Sequence, residues 1–164
     1  MTSLLELTAG RPSRTLAPGE ALVVQGETGG HLFVLESGQL VVERDGVKLA
    51  TISQPGTPIG EMSILLGTRN SATVRAETAT QVKVVDDARA HLAQDNALTL
   101  RLAELVAGRL NATSALVVEL SKQRQKGDSV LSRIFAALHL PADDTGYATI
   151  NRQDLFAPDD RSGG

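Results

Sequence analysis

Ile59-Gly60-Glu61-Met62-Ser63-Ile64-Leu65-Leu66-Gly67-Thr68-Arg69-Asn70-Ser71-Ala72-Thr73-Val74-Arg75-Ala76 decides the fold. The stretch predicts a short helix opening after Gly60, a turn, and then a strand over Ser71–Ala76. A helix start exposes free backbone N–H groups and the positive end of the dipole, which together attract an anion. Glu61 stands beside that start, suited to accept hydrogen bonds from sugar hydroxyls. Ser71 and Thr73 alternate along the expected strand and offer hydroxyl donors from one face. Two readings stand at this point. A carboxylate in a first turn favours the dipole alone, and threonine favours strands without any ligand.

Outward from this stretch, turn signals recur at short intervals: Pro18-Gly19, Gly29-Gly30, Ser37-Gly38, Asp45-Gly46 and Pro55-Gly56. Short β-rich runs lie between them, at Ala21–Gln25, His31–Glu36, Gln39–Arg44, Val47–Ile52 and Gln81–Val85. Many short strands with even turn spacing imply a sandwich or barrel. Leu32-Phe33-Val34-Leu35 is a continuous apolar run, as expected of a strand covered on both sides. Asp45-Gly46 between valine-rich runs is a strong hairpin signal.

The pattern changes after Asp86. From Ala88 to about Leu140 the chain has helical propensity and no proline until Pro141. Leu98, Leu102, Val106, Leu110, Thr113, Val117 and Leu120 follow spacings of three and four, flanked by Leu105, Arg109, Ala112 and Leu116. So wide a stripe suggests one side packed on the barrel and the other on a second copy of the helix. A helix packed only on its own barrel is the alternative. Lys126-Gly127-Asp128 interrupts the pattern, a further helix is expected over Ser129–Leu140, and a flexible tail follows.

Composition narrows the function. The 164 residues suit one domain with an appendage, and 41% hydrophobic but only 2% aromatic content requires an aliphatic core. With no cysteine, disulfides, thiolate metal sites and cysteine nucleophiles are excluded, and a cytoplasmic location is expected. A net charge of −3 argues against a broad nucleic-acid surface. Neither a secretory leader nor a membrane span is expected, for want of a basic-plus-apolar start or a long apolar run. His31, His91 and His139 lack metal-ligand spacing, and no nucleophile elbow or Walker loop is present, so no enzyme chemistry, metal or cofactor is expected.

Leu16-Ala17-Pro18-Gly19-Glu20 and Gln25–Gly38 look like the opening strands and turns of cyclic-nucleotide-binding domains, and residues 59–76 resemble their phosphate-binding cassette. Such domains occur in protein kinase A regulatory subunits and in the catabolite activator (Crp-Fnr) family. The resemblance covers residues 14 to 126 and implies a mainly β fold with α. The implied fold is a cyclic-nucleotide-binding β-roll of the jelly-roll type (double-stranded β-helix), followed by a long dimerisation helix. It implies three parts: the roll over 1–87 with its cassette at 59–76, helices over 88–126, and a residual helix and tail over 127–164. The implied ligand set is Gly60, Glu61, Met62, Ser63, Asn70, Ser71, Ala72 and Thr73, with Thr113 and Ser114 of the long helix.

Asn70 departs from the family, which places an arginine there to clamp the cyclic phosphate. A neutral amide replaces a two-pronged cation, which implies weakened or altered ligand preference. Arg69 and Arg75 are the nearest alternative cations. Ser129–Leu138 and Ile150–Leu155 look like the start of the DNA-binding module of the activator family, but Phe156–Gly164 is too short and acidic for a recognition helix. DNA binding is therefore not expected. The reading is a non-enzymatic regulatory domain that takes a cyclic nucleotide, cAMP-like, between cassette and long helix and signals through helix rearrangement. A homodimer through residues 98–120 and an unidentified protein partner are expected with it. A ligand-independent dimeric adaptor and a transcription regulator of the catabolite activator type are the alternatives.

Overall fold

The computed structural model describes residues 2–123. In chain order they form α1 (Leu4–Leu7), β1 (Ser13–Leu16), β2 (Ala21–Val23), β3 (Leu32–Ser37), β4 (Leu40–Arg44), β5 (Val47–Ile52) and β6 (Pro58–Ile59). There follow α2 (Glu61–Leu66), β7 (Thr73–Ala76), β8 (Thr80–Val85), α3 (Ala88–Gln94) and α4 (Asn96–Gln123). Two antiparallel four-stranded sheets, ordered β1-β8-β3-β6 and β2-β7-β4-β5, make the roll. The expected helix over 129–140, the tail and the segments resembling a DNA-binding module lie outside the described residues.

β3 organises the core. Its four leading residues, Leu32 to Leu35, are all buried. Successive strand side chains point to opposite faces, so the apolar run feeds two cores. Phe33 and Leu35 face the second sheet, joining Leu16, Leu40, Ile59, Val74 and Val82. Leu32 and Val34 face the helices, joining Leu4, Ile64, Val85, Leu92, Leu98 and Leu102. Leu4 reaches this second core from α1, a turn whose start is fixed by a reciprocal pair of hydrogen bonds between Ser3 and Glu6.

The Asp45-Gly46 signal is realised: both residues have positive φ, 51° and 76°, and Arg44 pairs with Val47 across the turn. The helical stretch after Ala88 is divided at Asp95. Its extended backbone ends α3, and its carboxylate accepts the Leu98 N–H at 2.9 Å to cap α4. The chain forms two compact units with their boundary after Leu105. In the first, α4 contributes the buried Leu98 and Leu102 to the core. In the second, Leu110, Leu116 and Leu120 of the same helix are each half exposed or more.

Candidate functional site

Gly60 has φ +87° and caps the start of α2 in the left-handed region. β6 brings it there: Ile59 pairs with Phe33, which lays Gly60 against the chain entering β3. A Cβ at position 60 would stand 2.9 Å from the His31 carbonyl, so glycine is required by conformation and by space. Behind it Glu61 is 5% exposed and Ser63 7%, whereas Met62 is 50% exposed and turns to solvent. The Ser63 hydroxyl donates to the Gly60 carbonyl at 2.9 Å. Gly67, also left-handed, ends α2, and Arg89 of α3 donates to the Ile64 carbonyl at 3.3 Å, where the dipole favours a cation.

The turn after α2 is fastened to the segment after β2. The Asn70 N–H donates to the Glu27 carbonyl at 2.9 Å, and the Gly26 N–H to the Asn70 carbonyl at 2.8 Å. The Asn70 side chain donates from Nδ2 to the Val24 carbonyl at 3.2 Å. Arg69 donates to the Gly26 carbonyl at 2.9 Å, and the Gln25 N–H donates to the Thr73 hydroxyl at 3.0 Å. Gly29 sits where this turn and α2 meet. A Cβ there would fall 2.6 Å from Ser63 Oγ and 2.8 Å from Asn70 Oδ1.

Between these segments lies a cavity of about 250 Å³. Val23, Val24 and Phe33 give it apolar wall, and Glu27, Gly60 and Asn70 line it alongside Arg14 and His31. Arg14 donates to Glu20 at 2.8 Å, and His31 Nδ1 lies 2.9 Å from Asp86. The guanidinium of Arg14, and then the Ala17 N–H, hold the Glu20 carboxyl below its ordinary range. Among the described residues, no group of three or more acidic, histidine or cysteine side chains could hold a metal.

Of the residues singled out in the sequence, Gly60, Ser63 and Asn70 are brought together around Gly29, and Glu61 is buried beside them. Ser71 and Ala72 lie in a bend, and β7 begins only at Thr73. The expected pairing of Ser71 with Thr73 on one strand face therefore gives way to an exposed Ser71, because bonds at Asn70 hold the chain in the turn for two further residues. Arg69 and Arg75 are engaged by the Gly26 and Gly19 carbonyls. Thr113 and Ser114 belong to the second unit, where their hydroxyls donate to the carbonyls of Arg109 and Leu110, both at 2.9 Å. The sequence did not single out Arg14, Glu27 or His31 as site residues; the local signal there is the Gly29-Gly30 turn, of which Gly29 has no room for a Cβ.

A two-sheet roll whose helix–turn–strand insertion closes over a partly polar cavity defines a ligand-binding β-roll. Residues 13–91 match the cyclic nucleotide-binding domain family. The cGMP-dependent protein kinase egl-4 of Caenorhabditis briggsae is 38% identical over 68 residues, which are 42% of this chain and 9% of that kinase. The catabolite activator protein of Thermus thermophilus superposes with a TM-score of 0.60 at 27% identity, covering 72% of this chain and 59% of that one. The N-terminal domain of a transcriptional regulator from Streptomyces coelicolor A3(2) is 31% identical, with a TM-score of 0.50, covering 66% of this chain and 81% of that one. Residues 13–91 of the chain thus form a domain of the cyclic nucleotide-binding family. Among the described residues no helix is long and apolar enough to cross a membrane.

Proposed function

We propose that this chain is a non-enzymatic, cytoplasmic regulatory module that binds a cyclic nucleotide, cyclic AMP or cyclic GMP, at the 59–76 cassette and signals through its helices. The reading rests on one observation. Glu61, a carboxylate with only 5% of its surface exposed, directly follows Gly60, which lines a cavity of about 250 Å³ together with Asn70. Glu61 matches the cassette carboxylate that the resemblance assigns to the ribose hydroxyls, and a carboxylate is an acceptor suited to such donors. The ligand phosphate then faces the turn at Asn70.

The signal leaves through α3. Ala88 N–H donates to the Gly30 carbonyl at 3.0 Å, and Asp86 pairs with His31, so two residues lining the cavity are bonded to the start of α3. Arg89 ties the same helix to the end of α2. Displacement of the Gly29–His31 segment by ligand would pull on α3 and, after Asp95, on α4.

The test is thermal unfolding with cyclic AMP and cyclic GMP, comparing wild type with Glu61→Gln and Ser71→Ala. A ligand at a hundred times its Kd stabilises a fold by about 2.7 kcal/mol. Wild type should show that shift and Glu61→Gln should lose it. Equal shifts in all three proteins would remove the proposed site.

A second reading, a ligand-independent homodimeric adaptor, is favoured by the engagement of Arg69 and Arg75 on backbone carbonyls and by the exposure of Leu110, Leu116 and Leu120. It expects a dimer in light scattering that neither nucleotide alters.

A further inference from the structure

Among the described residues that line the cavity, Arg14 is the one arginine or lysine, and its guanidinium is held 2.8 Å from the Glu20 carboxylate. His31 is likewise turned to Asp86 at 2.9 Å. Glu27 is the one acidic residue of the described lining. Asn70 adds no compensating charge, and one of its two amide N–H groups is already taken. The Val24 carbonyl can accept only from the nitrogen side of the amide, so Nδ2 is engaged at 3.2 Å and Oδ1 is directed toward Gly29. The two arginines that flank Asn70 in the turn and in β7 are drawn to the carbonyls of Gly26 and Gly19. Side chains around this cavity therefore present acceptors and already-paired cations, an environment that gives an anion no charge partner.

Resting on the cyclic-nucleotide reading above, we infer that Asn70 is a specificity residue that makes this cavity indifferent to the charge of the ligand phosphate. The site recognises a nucleoside by its apolar wall and by acceptors for hydroxyl and N–H donors. An uncharged nucleoside is then as good a ligand as the cyclic nucleotide carrying the same base. A charge-assisted fork at position 70 would favour the anion by about ten- to a hundredfold, and the wild-type cavity forgoes that preference.

Isothermal titration of the full chain with cyclic AMP, cyclic GMP, adenosine and guanosine at low and high salt tests the inference. The expected result is a wild-type Kd for each cyclic nucleotide within about threefold of its nucleoside and little changed by salt, since Arg14 and His31 are paired within the protein and the ligand forms no ion pair of its own to be screened. Asn70→Arg should tighten the cyclic nucleotide at least about tenfold relative to the nucleoside and restore salt dependence. The near-isosteric Asn70→Asp, which adds a like charge and also removes the donor to the Val24 carbonyl, should weaken the cyclic nucleotide more than the nucleoside. A wild-type preference for cyclic nucleotide of tenfold or more overturns the inference while leaving the cyclic-nucleotide reading intact. Binding of neither ligand class by wild type or by Asn70→Arg overturns both.

Discussion

The Thr73 hydroxyl accepts the backbone N–H of Gln25 at 3.0 Å, joining the first residue of β7 to the segment that follows β2. The bond fills a gap in the ladder: β2 and β7 slip in register between Ala21 and Val23, so strand pairing does not reach Gln25. Thr73→Val keeps the shape and removes the acceptor, leaving a half-buried N–H unpaired, which costs about 1–3 kcal/mol. Urea denaturation should show that loss in Thr73→Val and most of the stability regained in Thr73→Ser. Equal stability of wild type and Thr73→Val would mean the bond carries nothing.

Gly38 has φ +94°, and a Cβ there would meet the Ala79 carbonyl oxygen at 2.5 Å and Thr80 Cα at 2.6 Å. Both obstacles are backbone, fixed by the pairing of β8, so neither can yield cheaply. Gly38→Ala should lose about 1–2 kcal/mol for the left-handed backbone and about 1–3 kcal/mol more for overpacking. Gly10→Ala is the control, since nothing lies within 4 Å of its added methyl. Parallel denaturation curves should separate the two variants clearly.

Leu102 is fully buried and Leu116, on the same helix, is 58% exposed. Leu102→Ala should destabilise by about 2–5 kcal/mol, the ordinary cost of a core cavity. Leu116→Ser should leave the intrinsic stability within about 0.5 kcal/mol. If α4 forms the homodimer seam, a Leu116→Ser, Leu120→Ser double variant should elute as monomer where wild type elutes as dimer. A wild-type monomer at all concentrations removes that seam.

Glu20 should make the fold acid-sensitive. Its carboxyl titrates below the ordinary value of 4.5, first because Arg14 hydrogen-bonds it and second because the Ala17 N–H does. A folded-state value below the unfolded one gives stability that is present above pH 4.5 and lost as pH falls through the lowered value. Melting temperatures of wild type and Glu20→Gln should converge as pH falls below this value. A constant difference across the range would show that the pair does not contribute.

Much of the roll was legible because its signals are local. The Asp45-Gly46 turn needs two positive-φ residues, and the apolar run in β3 follows from cover on both faces. The expected strands matched those observed to within about two residues at most ends. Three features were less legible. The four-residue helix α1 is too short for a periodic signal, although its Ser3–Glu6 cap is written in the sequence. The break at Asp95 depended on its extended backbone and on a side-chain cap, against a continuous helical propensity. The bend at Ser71 arises from bonds to residues more than forty positions away, among them Asn70 Nδ2 to Val24, which no local window contains.

Of the candidate site, the glycine and the carboxylate stand out in the sequence and the walls do not. Gly60 and Glu61 sit in one short motif whose backbone demands are local. Arg14, Glu27 and His31 join them only through the tertiary fold, and the Asp86 that pairs with His31 lies far along the chain.

The most direct test of the central claim is a nuclear magnetic resonance titration of the isotope-labelled chain with cyclic AMP and then cyclic GMP, following assigned backbone amides. Saturable shifts are expected at Gly29, Gly30, Gly60 to Ser63 and Asn70, with smaller ones at Asp86 to Arg89 along the bonded route into α3. Absence of shifts at millimolar nucleotide, or shifts that avoid Gly60 to Ser63, would contradict it.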